Sequence, residues 1–352
     1  MSLITSLFKV LRGKSEQRVS LDGLLAYCDR HLEAMKHLVL PHELSKPRTP
    51  FDAPDVPNQE VSLMSLSLCQ RMRVLPQALP LFYNLYKSNA FYKQKETTAS
   101  RTISAEQLKV LEEKARAAGV KDIRYVKVPE YAIFKNKGAP QPYAIVFTVE
   151  MEKEPLATAP SLDCQLEVMR GYKQLARIGN QLAKFLTREG FAAYPGTALG
   201  GLTDYPHLAE LAGLGAIGYH GLLITPEEGA RLRINTVYTN ISNLPMENND
   251  EHQWVREFCS KCKKCIRKCP VNAIYEEPRP RGDGGMQCIE HSTCRSYFTR
   301  NYGCAICLVS CPFSQAGYDK IKARFKGNPE APVFELGLVD SHGEQELPLH
   351  RV

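Results

Sequence analysis

The spacing of apolar residues predicts helices at several places in this chain. Ser104 opens a capping box, Ser-Ala-Glu-Gln, and the helix after it is predicted to run to about Ala118. A longer helix is predicted over about 162–188, ending at Gly190. Nearer the start of the chain, residues 20–38 have apolar positions at helical spacing, and a proline-rich stretch follows them.

Short apolar or alternating runs predict strands over 123–128, 143–151 and 233–239, and the second run is apolar enough to be buried. The order helix, strand, strand, helix, strand indicates an α+β fold class. The chain then divides into four predicted parts: an N-terminal helical and proline-rich region (1–99), an α+β domain (100–250), a cysteine-rich domain (251–318) and a C-terminal tail (319–352).

The composition is that of an ordinary globular protein, except that cysteine is concentrated near one end. The 352 residues suffice for two domains, 43% are hydrophobic, and the net charge of +7 does not by itself indicate a nucleic-acid partner. No stretch approaches the ~18 apolar residues of a membrane span, and the first residues form no secretory or twin-arginine signal. Most of the cysteines follow position 258. We therefore expect a cytoplasmic protein without a membrane partner.

Two cysteine runs indicate two [4Fe–4S] clusters. The first run, from Cys259 to Pro270, follows the pattern C-x2-C-x2-C-x3-C-P, and the second, from Cys304 to Pro312, keeps the last three cysteines of that pattern. Structural zinc is the alternative, but there are too many cysteines for one zinc ion and both runs end in Cys-Pro. Basic residues inside the first run fit a negatively charged cluster, although a solvated basic face would look the same.

The spacing also assigns ligands to each cluster. In two-cluster ferredoxins the fourth cysteine of each run ligates the other cluster. Cluster two then lacks one ligand, because Asn301 stands where the pattern requires cysteine. Cys294 and Cys288 are the candidates, and Cys294 is preferred because the residues from it to Cys304 can fold back as one short loop. The expected ligands are Cys259, Cys262, Cys265 and Cys311 for cluster one, and Cys269, Cys294, Cys304 and Cys307 for cluster two.

A glycine-rich segment precedes the last predicted strand. Gly213, Gly215 and Gly218 have the spacing of a dinucleotide-binding fingerprint, but the residues before them look helical and Asn235 stands where the fingerprint requires an acidic residue. The segment also lacks the Gly-Lys-Ser/Thr of a phosphate-binding loop. Glycines let a backbone pass close to a large neighbour. That neighbour is either a flat cofactor or a packed helix, and the spacing does not decide between them.

The segment Ala212–Arg233, with Ala-Gly-Leu-Gly and then Gly-Tyr-His-Gly-Leu-Leu-Ile-Thr-Pro-Glu, resembles the signature of the reductive dehalogenase catalytic domain. The run Val237-Tyr-Thr-Asn-Ile is similar to that family's strand, and both cysteine runs resemble its double-cluster domain, an architecture shared by epoxyqueuosine reductases. The resemblance implies a nitroreductase-like domain that binds cobalamin, followed by a ferredoxin-like double [4Fe–4S] module that supplies electrons to cobalt. It supports Cys294 as a ligand and implies corrinoid contacts from Gly213, Gly215, Gly218, His220 and Gly221.

The same resemblance suggests candidates for the proton donor. Dehalogenases use a tyrosine whose pKa is lowered by a nearby basic residue; here the local candidates are Tyr205 and then Tyr219, with Arg231 or Arg233 as the basic partner. Asp204 is the alternative acid. Each has an ordinary structural interpretation as well, since a tyrosine before proline often starts a helix and arginines on a strand are often solvated.

Three functions are compatible with these features. The leading hypothesis is a cobalamin-dependent iron–sulfur reductase of a small organic substrate, supplied with electrons by a ferredoxin or flavodoxin. The first alternative is an epoxyqueuosine reductase acting on tRNA, although such enzymes carry an aspartate where Leu199 stands and favour Trp-Ile-Gly-Lys where this chain has Ala-Ile-Gly-Tyr. The second alternative is an electron-transfer protein without a corrinoid, which would not need the large domain that precedes the clusters.

Overall fold

The computed structural model describes residues 66–93, 100–134, 137–246, 251–280 and 286–327. The helix predicted over 20–38 and the proline-rich stretch after it lie outside these ranges. The first described helix, α1, spans Leu68–Phe91 and begins at Ser67, whose side chain forms a capping box with Gln70. Two prolines inside α1 account for its absence from the sequence prediction, because an internal proline removes a helical hydrogen bond.

The middle of the chain forms the mixed helix-and-strand domain that the sequence predicts. The predicted helices starting after Ser104 and over 162–188, and the three predicted strands, all form within two residues of their expected ends. Its helices are α2 (Ala105–Ala117), α3 (Lys153–Ala157), α4 (Leu162–Arg188) and α5 (Tyr205–Leu211), and its strands are β1 (Ile123–Lys127), β2 (Tyr143–Glu150), β3 (Ala193–Pro195), β4 (Ala216–Ile217), β5 (Leu223–Ile224) and β6 (Leu232–Thr239).

A four-stranded antiparallel sheet in the order β1-β2-β6-β3 forms the centre of this domain. Ile145 on β2 lies opposite Tyr125 on β1 and Val237 on β6. Successive residues of a strand point to opposite faces, so the sheet has two apolar faces. One face packs on α4, and the other packs on α5. The strands β4 and β5 form a separate two-stranded hairpin.

The cysteine-rich module follows the sheet domain. It contains the helices α6 (Trp254–Cys262), α7 (Lys264–Lys268), α8 (His291–Phe298), α9 (Ile306–Val309), α10 (Pro312–Ala316) and α11 (Tyr318–Gly327), and the antiparallel strands β7 (Ile274–Pro280) and β8 (Met286–Ile289). The region predicted as a tail from 319 therefore includes most of α11. Tyr318 and Ile321 are buried there against Trp254, Phe258 and Phe313, so α11 is part of the module's core.

Arg231 joins the sheet domain to the cysteine-rich module. Its Nη1 donates hydrogen bonds to Glu150 Oε1 and the Met151 carbonyl, both at 2.9 Å, while its Nε donates to the Ser314 carbonyl at 3.2 Å. Nearby, a Cβ on Gly229 would lie 2.2 Å from the Phe313 carbonyl oxygen, so only glycine permits this approach. Among the described helices, none combines the length and the apolar character that crossing a bilayer requires.

Candidate iron–sulfur sites and candidate catalytic residues

Four cysteines from both runs line one cavity, which we name the first cysteine site. The cavity holds about 270 Å³ of empty space, part of it open to solvent, and Phe258, Phe313 and His220 also line it. No three His, Cys, Asp or Glu side chains of the described residues converge on the position of a single ion. The four cysteines surround the cavity instead; they are Cys259, Cys262, Cys265 and Cys311, and all are buried.

The local backbone explains how closely spaced cysteines face the same cavity. α6 ends at Cys262 because Lys263 adopts a left-handed conformation with φ 48°, and α7 begins at the next residue. This sharp turn between two short helices brings Cys265 back toward the cysteines of α6. Left-handed backbone is uncommon for residues other than glycine, so the turn is a specific feature of this run.

Without a bound cation, burial in the first cysteine site disfavours the charged thiolate form of its cysteines. Burial raises the pKa of Cys265 to about 12 and raises the pKa values of Cys259 and Cys311 further. Backbone hydrogen bonds from Tyr219 to Cys259 and from Phe313 to Cys311 act in the opposite direction. Bound iron would favour the thiolate form of these ligands and release their protons.

A second group of four cysteines lies together at the other end of α7, and we name it the second cysteine site. Burial raises the pKa of Cys294 to about 11, with further contributions from Cys304 and Cys269. The pKa of Cys307 is raised by burial and then by Cys294 and Cys304. These mutual effects place the four thiols close to one another. The site consists of Cys269, Cys294, Cys304 and Cys307, all only partly buried.

Cys288 lies beside the first cysteine site. Its Sγ is 3.7 Å from the Gly218 carbonyl oxygen, and its charge contributes to raising the pKa values of Cys259 and Cys265. Cys304 and Cys269 of the second site contribute to raising the pKa of Cys294, whereas Cys288 does not. The structure therefore groups Cys294, and not Cys288, with the cysteines expected for cluster two.

The glycine-rich segment folds as the β4–β5 hairpin, and its tip points at the first cysteine site. At the tip, the Gly221 amide donates to the Gly218 carbonyl at 2.9 Å, and Gly221 has φ +76°. A Cβ on Gly218 would lie 3.5 Å from Cys259 Sγ, while one on Gly215 would lie 2.0 Å from the Ile224 carbonyl oxygen. Gly213, with φ +77°, follows the end of α5. Close packing therefore explains these glycines, and their proposed contacts with a corrinoid stay a prediction.

His220 at the hairpin tip has one ring nitrogen without a partner. The side chain is 2% exposed. Its Nδ1 accepts a hydrogen bond from the Leu222 amide at 3.1 Å, whereas its buried Nε2 has no hydrogen-bond partner. Burial lowers the pKa of His220 to about 4. In the neutral ring Nδ1 is the acceptor, so Nε2 carries the proton.

Tyr205, the first tyrosine candidate, is buried on the α5 face of the sheet. Its Oη donates to the Thr197 carbonyl at 3.2 Å. Burial raises the pKa of Tyr205 well above its ordinary value, and the nearby Tyr238 and Tyr92 raise it further. Asp204 is the residue that precedes α5, and its side chain does not cap that helix.

The structure brings neither arginine candidate to Tyr205, and this corrects the expected pairing. Arg231 bonds to Glu150 and to two backbone carbonyls, as described above. Arg233 lies over the ring of Tyr172 at 4.7 Å and donates to its Oη at 3.2 Å. Alternation along β6 is the reason: Arg233 points to the α4 face, whereas Tyr205 is on the α5 face. The pKa of Tyr205 is accordingly raised and not lowered.

Tyr219, the second tyrosine candidate, faces the β7–β8 hairpin. Its Oη donates to Glu277 Oε2 at 3.0 Å. Burial and this carboxylate raise the pKa of Tyr219 to about 12. Neither Arg231 nor Arg233 contributes to this shift; the basic residue that acts on Tyr219 is Lys263, which lowers the pKa by less than burial and Glu277 raise it.

A tightly packed polar cluster around Gly196, at the end of β3, was not anticipated from the sequence. A Cβ on Gly196 would lie 2.5 Å from Tyr205 Oη, 2.6 Å from Thr236 Oγ1 and 2.8 Å from Asn235 Oδ1. Asn235 Oδ1 and Thr197 Oγ1 are buried without a hydrogen-bond partner. A buried polar atom without a partner costs about 1–3 kcal/mol, so these atoms are suited to a polar ligand. The signal in the sequence was the polar pair Asn-Thr inside a buried strand.

Comparisons with known proteins agree with the cysteine pattern and the fold. The 4Fe-4S binding domain family matches residues 252–275. The chain is 33% identical over 199 residues to the tetrachloroethene reductive dehalogenase of Dehalobacter restrictus. This alignment covers 53% of this chain and 34% of the relative. It is 32% identical over 118 residues to the epoxyqueuosine reductase of Francisella cf. novicida, covering 30% of this chain and 31% of the relative.

The fold is also that of a solved reductive dehalogenase. The structure of the N-terminally tagged catabolic reductive dehalogenase NpRdhA matches 73% of this chain and 40% of its own, with a TM-score of 0.62 and 18% sequence identity. By their names the sequence relatives are oxidoreductases. The chain spans about a third of the length of these two relatives.

Proposed function

We propose that this chain is a cobalamin-dependent iron–sulfur reductase that resembles reductive dehalogenases. Electrons pass through two [4Fe–4S] clusters to a corrinoid and cleave a bond of a small organic substrate. The observation that carries this proposal is the presence of two separate sets of four cysteines, one of them around a cavity that touches the glycine-rich hairpin of the sheet domain. Similarity to enzymes of this class over 199 residues supports it.

Each cysteine site holds one cluster. Cluster one is bound by Cys259, Cys262, Cys265 and Cys311, and cluster two by Cys269, Cys294, Cys304 and Cys307. The crossing of one ligand from each run to the other site is the arrangement of two-cluster ferredoxins. The short helix α7 has Cys265 near its start and Cys269 directly after its end, so it connects the two sites.

Burial sets the direction of electron flow. The second cysteine site is only partly buried and receives electrons from a ferredoxin or flavodoxin, whereas the first is enclosed and adjoins the sheet domain. All described cysteines are free thiols. This fits a protein that acts in the cytoplasm, where thiols stay reduced.

The polar cluster at Gly196 would contact one edge of the corrinoid. Amide groups around a corrin ring could donate to Asn235 Oδ1 and Thr197 Oγ1, two of the buried oxygens without partners among the described residues. When bound, the corrinoid supplies low-valent cobalt, which is a strong reductant and nucleophile. The sheet domain is then a nitroreductase-like corrinoid domain. Its glycine-rich hairpin borders the site of cluster one.

Tyr205 supplies the proton that completes the cleavage. Its raised pKa keeps the proton on Oη at neutral pH, and Oη belongs to the polar cluster around Gly196. The hydroxyl of Tyr238 lies near enough to affect this pKa, and it hydrogen-bonds Thr203 at 2.8 Å. Asp204 is the alternative donor.

An epoxyqueuosine reductase activity on tRNA is the second candidate. The similarity to the Francisella enzyme over 118 residues favours it. Reduction of epoxyqueuosine in a tRNA stem-loop by the purified protein, measured beside reduction of small organohalides, separates the two candidates.

Metal analysis of anaerobically purified protein tests the proposal. We expect about eight irons per chain, two distinct cluster signals in electron paramagnetic resonance, and uptake of added cobalamin. Thr197→Val removes an unpartnered hydroxyl at nearly constant shape, so it should weaken cobalamin uptake several-fold without reducing iron. Protein with full iron that neither contains cobalt nor takes up cobalamin would instead be an electron-transfer protein.

A further inference from the structure

The tip of the β4–β5 hairpin borders the first cysteine site, because His220 at the tip lines the same cavity as the four cysteines. The Tyr219 backbone donates a hydrogen bond to Cys259, and the Cβ position on Gly218 lies 3.2 Å from His220 Cε1 and 3.5 Å from Cys259 Sγ. His220 and Cys259 therefore both border Gly218, and both side chains line the cavity.

The hydrogen bonding of His220 fixes which nitrogen carries the proton. The Leu222 amide donates to Nδ1, which therefore has no proton of its own in the neutral ring. Nε2 is then an N–H donor, and it is buried without an acceptor in the protein. Leaving such a donor unsatisfied costs about 1–3 kcal/mol.

The cavity offers few acceptors for this donor. The side chains that line it with His220 are aromatic, proline or lysine residues and the four cysteines of the first site. Lysine ammonium groups only donate hydrogen bonds. Sulfur is therefore the acceptor that these side chains provide.

We propose that His220 donates an N–H···S hydrogen bond from Nε2 to cluster one and thereby raises its reduction potential relative to that of cluster two. This inference rests on the proposed function, because it requires the cluster in the first cysteine site. Reduction adds negative charge to the sulfurs, so a fixed donor stabilises the reduced cluster more than the oxidised one. His220 is a positioning residue in electron delivery and does not ligate iron.

Two matched variants separate the donor from the rest of the side chain. The His220→Asn amide can accept from Leu222 in place of Nδ1 but is too short to reach the position of Nε2, whereas the His220→Gln amide reaches that position with a donor. We expect His220→Asn to shift the ratio of reduced to oxidised cluster one about tenfold toward the oxidised form at a fixed potential, which is 59 mV for a one-electron couple. His220→Gln should recover most of this shift.

The measurement is a potentiometric titration of the iron-loaded protein followed by electron paramagnetic resonance, in which cluster two is the internal control. An unchanged cluster-one potential in His220→Asn with full iron overturns the inference and leaves the proposed function standing. An equal shift of both clusters also overturns it. Wild-type protein that contains no clusters overturns both.

A measurement on the unmodified sequence keeps the inference testable if the variants lose iron. Protein labelled with ¹⁵N-histidine should show a weak ¹⁵N hyperfine coupling to reduced cluster one, transmitted through the hydrogen bond. Absence of any coupling overturns the inference, and so does a strong coupling, because it would mean that a histidine ligates iron directly.

Discussion

The two cysteine sites contain the same number of thiols but differ in their surroundings. The first site is enclosed by an aromatic core in which Trp254, Phe258 and Phe313 pack together, and none of its cysteines is more than 8% exposed. The cysteines of the second site are only partly buried. Part of that site is formed by consecutive residues with positive φ, Tyr302, Gly303, Cys304 and Ala305. The difference indicates that the first site would isolate a bound cluster, whereas the second would leave a bound cluster accessible.

The surroundings follow from which elements reach each site. The first site lies between α6, α10 and the β4–β5 hairpin of the sheet domain, so two parts of the fold close over it. Next to the second site, Ala305 and Leu308 pack near Cys164 of α4. The helix α8 contributes Cys294 to this site. Burial and hydrogen bonds to sulfur set cluster potentials, so we expect the two clusters to differ in potential.

Loss of one ligand at each site should produce the largest effect. Cys311→Ala and Cys294→Ala should each remove about four irons, the first from cluster one and the second from cluster two. Both should abolish turnover, because each interrupts the electron path. Iron analysis and electron paramagnetic resonance of the two variants check this, with Cys69→Ala, an exposed free cysteine, as the control. Loss of the same signal in both variants would contradict the assignment.

Tyr205→Phe should stop the chemistry while leaving both clusters intact. Loss of a general acid typically costs about 10²–10⁴ in rate, and the iron content and cluster potentials should not change. Tyr219→Phe is the matched control, because its hydroxyl only donates to Glu277 at the surface of the module. A larger loss of turnover in Tyr219→Phe would exchange the roles of the two tyrosines.

The pH profile provides a second test of Tyr205. Its pKa is raised by burial, so the proton should stay on Oη as the pH rises through the ordinary tyrosine value of about 10. Below pH 10, loss of the Tyr205 proton should therefore not lower turnover by the wild-type protein. The residual turnover of Tyr205→Phe, measured over the same pH range, is the comparison. A fall near pH 8, absent from the variant, would indicate the lowered pKa that a nearby arginine produces.

A smaller effect should appear when iron is removed slowly. A ferrous chelator should strip cluster two several-fold faster than cluster one, because the ligands of the second site are more exposed. Following both signals with time after chelator addition measures the two rates. Equal rates, or earlier loss of cluster one, would contradict the view that burial separates the roles of the sites.

The sequence predicts the parts of the molecule that depend on local spacing. The capping box at Ser104 and the long apolar run of β2 specify their elements directly, and the grouping of the cysteines follows from the two runs. Cys294 could be placed because few cysteines were available. α1 could not be predicted, since its two prolines oppose helix formation and its packing against α4 supplies what its local sequence does not.

The catalytic pairing depends on contacts between distant residues, and there the sequence was less informative. Tyr205 lies on α5 and Arg233 on β6, and strand alternation turns Arg233 to the face of the sheet opposite α5. The polar cluster at Gly196 forms only where β3 ends beside β6, with Asn235 and Thr236 contributed from the neighbouring strand. The glycines assigned to a corrinoid had two interpretations; the structure shows their close packing, and their contacts with a corrinoid stay a prediction.

Cys288→Ser should have the smallest effect. Cys288 lies near the ligands of cluster one, but its Sγ is 3.7 Å from a carbonyl oxygen, which is a long hydrogen bond for a weak donor. Serine keeps a donor at this position, so iron content should stay at about eight per chain and the potentials should shift little. The same iron and potential measurements check it. If this variant lost about four irons while Cys294→Ala kept them, the fourth ligand of the second site would be Cys288 and not Cys294.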